Sequence, residues 1–159
     1  SVSIGVTPSP FDCWLAERGL ATFKLRFEKA QKNAQILAKA LKQHVKVKKV
    51  LYPSLSEHPD RSLAKKLLKG NGCNMVSFEI SDHRPDANKF IENIDGIAFA
   101  PTLGDIGTTI SHPGSSSHRY LNSDARKALG ITEGFFRVSV GLEDPDELVG
   151  SFERALDSI

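Results

Sequence analysis

Residues 135–157 read FFRVSVGLEDPDELVGSFERALD. Phe136, Val138 and Val140 alternate with Phe135, Arg137 and Ser139, the period of a strand with one buried face. Asp144-Pro145-Asp146-Glu147 then opens a helix. Asp144 is the expected cap, Pro145 suits the first helical position, and Glu147 stands where it would complete a capping box. Leu148, Val149, Phe152, Ala155, Leu156 and Ile159 fall along one side of that helix. A strand and a helix in succession, each with a single apolar face, predict helices layered on one face of a sheet.

Working outward, Val76, Phe78 and Ile80 alternate with Ser77 and Glu79 and predict a second strand in the same sheet. Phe23, Phe27, Ala30, Ala34, Leu37 and Leu41 are spaced by fours and threes. They predict a helix over 20–42 that packs with the 145–157 helix on the sheet's apolar face. Its lysines 24, 29, 32, 39 and 42 lie off the stripe, on a solvated side. Before it, residues 1–10 read as an extended lead-in, Asp12 as the cap of a first helix, and Gly19 as its kink or break. Val45, Val47 and Val50 suggest a short strand closed by Tyr52-Pro53. Pro59 is read as opening a helix that carries Leu63, Ala64, Leu67 and Leu68. Gly70-Asn71-Gly72 is a turn, and Ala87, Phe90, Ile91 and Ile94 form a further helical stripe. Residues 97–100 suggest another strand, and Asn122 or Ser123 caps a short helix ended by Gly130. Residues 101–118 have no helical period and read as a long polar loop between two strands, a kind of segment that often carries function. Helices interleave with few, short strands, which favours an α+β layer over a doubly wound sheet.

The chain has 159 residues, 40% hydrophobic and 25% charged, which suits one globular domain. Its 21 basic and 19 acidic residues nearly cancel, so nucleic acid is not an expected partner. No apolar run approaches the ~20 residues of a membrane span, and residues 1–12 do not read as a signal peptide. Cys13 and Cys73 are too few for a disulfide framework, and a reducing, cytosolic compartment fits them best.

Among residues that could carry chemistry, the glycines spell no phosphate loop. His112 and His118 are six apart without a thiolate or carboxylate cluster in the sequence nearby, so no metal site is expected. Ser115-Ser116-Ser117-His118 contains no nucleophile elbow, and a serine adjacent to a histidine in sequence is not a catalytic geometry. Arg137 is more informative, because its neighbours place it opposite three apolar residues. A mid-strand guanidinium is costly unless paired or solvated. A salt bridge to a helix, a place on an edge strand, or a fixed fork for a substrate carboxylate would each meet that cost.

Several words of this sequence are familiar. PSPFDCWLAERGL at 8–20 resembles the S-P-F-D-x-W-L-x-x-R-G-L segment of the Cys/Met-metabolism enzymes that use pyridoxal phosphate. TLGDIGTTISHPGSSSH at 102–118 is similar to that family's S-L-G-x-x-E-S-L-I-x-H-P-A-S-M-T-H, and RVSVGLED at 137–144 to its R-L-S-V-G-I-E-D. Tyr52-Pro53 and His58-Pro59 match its Y-P-G-L-x-x-H-P. The order and spacing agree from about residue 7 to 157. The resemblance implies the C-terminal domain of a fold-type I pyridoxal-phosphate enzyme, α+β, with a small, mainly antiparallel sheet and helices on one face. It divides the chain into a lead-in and start of a bridging helix over 1–19 and a substrate-carboxylate-binding domain over 20–159. It puts the cofactor lysine and the large cofactor-binding domain before Ser1, so no catalytic residue and no covalently held cofactor are expected here.

Residue by residue, the resemblance implies that Arg137 binds the substrate α-carboxylate, with Thr102 in place of a serine and Leu103 beside it. Pro101 stands where side-chain character follows substrate choice. Its lack of charge points away from cystathionine, toward another sulfur amino acid or an acylhomoserine. Ser115 is retained and Ser117 replaces a threonine in the specificity loop, while Gly107 stands for a glutamate and Thr109 for a leucine. The implied reaction is elimination at Cβ or Cγ, or replacement at Cγ, in transsulfuration. The implied partners are an amino-acid substrate, the large domain of the same protein and, in the complete enzyme, the other subunits of a cytoplasmic homotetramer. A stand-alone, non-catalytic binding or assembly module is the alternative.

Overall fold

The alternation at 76–80 and 135–140 is realised as two adjacent central strands. The structure is a computed structural model that describes residues 7–159. Its elements run α1 (Pro10–Ala21), α2 (Phe23–Gln43), β1 (Lys49–Leu51), α3 (Arg61–Leu67), β2 (Met75–Glu79), α4 (Arg84–Asn93), β3 (Ala98–Phe99), β4 (Thr109–Ser111), α5 (Ser123–Ala128), β5 (Phe135–Ser139) and α6 (Pro145–Asp157). The five strands lie in the order β1-β2-β5-β4-β3, and only the β3–β4 pair is parallel.

The register pairs Val76 with Val138 and Phe78 with Phe136, and pairs Ile110 with Val138 on the other side. Partners directly across a sheet share a face. These side chains therefore form one apolar surface, covered by Ala34, Leu37, Ala38 and Leu41 of α2, Ala87 and Phe90 of α4, and Leu148, Phe152, Ala155 and Leu156 of α6. Phe78, Phe90, Phe136 and Phe152 meet with ring centroids 5.0–6.2 Å apart. Fully burying one such ring contributes about 1.5–3 kcal/mol. The opposite face carries Ser77, Arg137 and Ser111 in one row and Met75, Ser139 and Thr109 in the next.

Several expectations need correction. The cap of α1 is Ser9, and Asp12 is its capping-box partner three residues on. The helix runs through Gly19, and the break falls at Thr22. The expected lead-in at 1–6 lies outside the described residues. The stripe of α2 is buried from Ala30 onward, whereas Phe23 and Phe27 are exposed. Val45 is 92% exposed and lies outside β1. The helix after Pro59 begins at Arg61 and buries none of its leucines. In α6, Asp144 accepts the amides of Asp146 and Glu147, so the Glu147 amide, not its side chain, serves the cap. The largest correction is β4, a strand inside the expected 101–118 loop. Thr108–His112 is buried throughout, and the strand's three residues, Thr109-Ile110-Ser111, are too few for their alternation to mark it in a polar segment.

Candidate functional site

Arg137 is the third residue of β5, flanked across the sheet by Ser77 on β2 and Ser111 on β4. Its row is thus lined by short hydroxyls, and its side chain is half-buried. Among the described residues its guanidinium has no ion pair within 4.0 Å and no hydrogen bond. The alternative of a salt bridge to a helix is therefore not what the structure shows.

The segment before β4 is fastened to the end of β5 by a chain of bonds. Both oxygens of the Glu143 carboxylate accept from Thr108, one from its backbone N–H and one from its hydroxyl at 2.8 Å. The Thr108 hydroxyl in turn accepts the Gly141 N–H at 2.9 Å. Leu142 N–H donates to the Ile106 carbonyl at 2.8 Å. A Cβ at Gly141 would collide with the Ile106 carbonyl, so glycine permits this close approach. From beneath, the buried Asn33 of α2 donates to the carbonyls of Gly141 and Glu143 at 3.1 and 2.8 Å. Nearer the start of the segment, the Thr109 hydroxyl donates to the Thr102 carbonyl at 3.1 Å, and Gly104 N–H donates to the Ser139 hydroxyl at 3.0 Å. Pro101, Thr102 and Leu103 remain exposed.

A second polar cluster gathers around His112. The ring is buried and packs 5.2 Å from Phe136. Its Nε2 lies 2.8 Å from the Glu133 carbonyl, which can only accept, so Nε2 carries the proton. Nδ1 then accepts the Ser115 hydroxyl at 2.7 Å, and that hydroxyl accepts from Arg84 at 2.6 Å. Arg84 and Arg126 pair with the two oxygens of Glu133 at 3.0 and 2.7 Å. Burial holds the His112 pKa below its ordinary 6.5. The Arg84 hydrogen bond, with help from Arg126, holds Glu133 below the usual carboxylate range. A neutral imidazole and a carboxylate between two guanidinium groups make a staple joining α4, α5 and the 112–118 turn.

The structure ties the Thr102 carbonyl and the Gly104 amide to the row beside that of Arg137 on the same sheet face, whereas Ser115 is engaged by the staple. The exposed Ser117 bonds to His118 at 2.8 Å. Among the described residues no three His, Cys, Asp or Glu side chains gather as metal ligands. Sequence reasoning missed Thr108, Thr109, Ser139, Glu143 and Asn33. The period of two in 135–140 already put Ser139 on the Arg137 face, but nothing in the sequence announced the bonds that the other four make.

Comparison with known proteins bears on this arrangement. A cystathionine gamma-lyase of Dictyostelium discoideum is 41% identical over 155 residues, covering 98% of this chain and 40% of that protein. A cystathionine beta-lyase of Bacillus subtilis is 40% identical over 148 residues, covering 93% of this chain and 37% of its own length. A crystal structure from Campylobacter jejuni, described as an O-acetylhomoserine (thiol)-lyase and carrying a pyridoxyl-lysine monophosphate, superposes with a TM-score of 0.89 at 33% identity. It covers 98% of this chain and 37% of that one. The chain thus spans about 40% of the length of such relatives. The family profile described as Cys/Met metabolism PLP-dependent enzyme matches residues 1–157, and the chain belongs to that family.

Proposed function

We propose that this chain is the substrate-carboxylate domain of a pyridoxal-phosphate-dependent enzyme of sulfur amino-acid metabolism. The reaction is a β- or γ-elimination or a γ-replacement on a cysteine-, homoserine- or methionine-type substrate. The observation that carries this reading is the Arg137 guanidinium, half-buried in mid-strand among hydroxyls and without an ionic partner among the described residues. Such a group calls for an anion, and its planar fork matches the two oxygens of a carboxylate. Thr102 adds a hydroxyl from the tethered segment. Together they hold an amino acid by its carboxylate and fix the directions of the bonds at Cα, a contribution of orientation.

This donor set fits a carboxylate and does not fit the cofactor. Pyridoxal phosphate serves as an electron sink joined to a lysine. The register puts Lys49 on the Arg137 face, but on the edge strand β1, exposed and two strands away. No step through the cofactor is assigned to residues of this chain. In this reading the cofactor and its lysine belong to a large domain of the complete protein, a cytoplasmic homotetramer. The exposed Phe11, Trp14, Leu15 and Leu20 of α1 suit burial against such further protein.

The test is Arg137→Lys in the complete protein. The fold and cofactor content should be kept while kcat/KM for the amino acid falls roughly thirtyfold or more, the equivalent of about 2 kcal/mol. Unchanged turnover would refute the assignment.

A further inference from the structure

We infer that Thr109 and Ser139 are positioning residues that set the place of Thr102 relative to Arg137; the inference rests on the carboxylate reading above. The two residues are register partners across β4 and β5. They occupy the next rung on the same face as Arg137 and Ser111, with Ile110 and Val138 between them on the opposite face, and residues two apart on a strand lie about 7 Å from one another. Both are almost wholly buried, at 5% and 2% exposure. Each spends its hydroxyl on the same short piece of chain. Thr109 donates to the Thr102 carbonyl, and Ser139 accepts the Gly104 N–H. Asn74 donates to the Ser139 hydroxyl at 3.4 Å and helps fix its orientation.

The physical consequence follows from where Thr102 lies. It is exposed and belongs to no strand or helix, so by itself its hydroxyl would wander relative to Arg137. Tying the carbonyl of 102 and the amide of 104 to one rung transfers the rigidity of the sheet to the loop. The separation of the two carboxylate donors is then set by strand geometry, the kind of support a binding constellation needs.

The experiment uses the complete protein loaded with cofactor and L-methionine or L-cystathionine, whichever the wild type turns over. Thr109→Val removes the hydroxyl at nearly constant volume, and Thr109→Ser keeps it. Thr109→Val should raise KM about five- to tenfold with kcat within about twofold, the signature of lost ground-state binding. Thr109→Ser should restore the wild-type KM. Amide hydrogen exchange at Gly104 should quicken about tenfold in Thr109→Val and in Ser139→Ala, with Phe78 and Val138 unchanged. Arg137→Lys is run alongside. If it raises KM while Thr109→Val leaves KM at the wild-type value, the positioning role is overturned and the carboxylate reading stands. If Arg137→Lys leaves kcat/KM unchanged, the carboxylate reading falls and the inference falls with it. A Thr109→Val that lowers kcat and speeds exchange throughout the sheet would show a merely structural threonine and would also overturn the inference.

Discussion

Glu143 grips Thr108 with both carboxylate oxygens, one on the backbone N–H and one on the hydroxyl. This bond closes the end of β5 onto the segment leading into β4. It also leaves the Thr108 hydroxyl oriented to accept the Gly141 N–H. Thr108→Val should therefore strip partners from the buried Gly141 amide and the half-buried Glu143 carboxylate and destabilise the fold by about 1–3 kcal/mol. Urea unfolding checks the magnitude, and an unchanged midpoint would show that the latch carries no weight.

Tyr52 is fully buried and donates its hydroxyl to the Cys73 carbonyl at 2.9 Å, directly over Gly72. A Cβ at Gly72 would overlap the phenol end of Tyr52. Gly72→Ala should cost about 1–3 kcal/mol through overpacking, and more than Tyr52→Phe, which forfeits about 1 kcal/mol of hydrogen bonding. Thermal melts of the two variants settle the order, and equal or reversed losses would contradict this packing.

The staple around His112 gives the fold a definite acid response. The folded pKa of His112 is depressed by burial, so the unfolded chain takes up a proton first as pH falls. Its contribution to stability is complete above the ordinary 6.5 and is lost as pH drops from there toward the depressed value. Glu133, held down by Arg84, and Asp82, held down by the Glu133 amide, lose theirs at lower pH, below the ordinary values of 4.5 and 3.8. Urea midpoints should fall in two stages on acidification, and His112→Gln should abolish the upper stage alone. A single stage in the wild type would count against a neutral, buried His112.

Much of this fold could be read from the sequence because its central elements are amphipathic with clean periods. The alternation at 76–80 and 135–140 predicts two paired strands, and the stripes of α2 and α6 predict their cover, as found. The failures have a common cause in elements that lack one wet and one dry face. β4 is buried on both, and its Thr-Ile-Ser is too short a run to stand out within a polar, glycine-containing segment. α3 buries none of its residues, and its leucines therefore predicted packing that does not form. At the site, Arg137 stood out as a charge in a strand, and the family word drew Thr102 beside it. Thr109 and Ser139 escaped notice because a buried hydroxyl resembles any small strand residue until its partner is known.

The central claim is that Arg137 recognises a carboxylate, and selectivity for that group tests it most directly. The measurement is kcat/KM of the complete protein for L-methionine and for the amine that lacks only its carboxylate. The wild type should prefer the acid by about a hundredfold or more, in keeping with about 2–5 kcal/mol for a hydrogen-bonded charge pair. Arg137→Lys should lose most of that preference, because an ammonium cannot reproduce the fork, while its rate with the amine stays the same. An undiminished preference for the acid in Arg137→Lys would contradict the account.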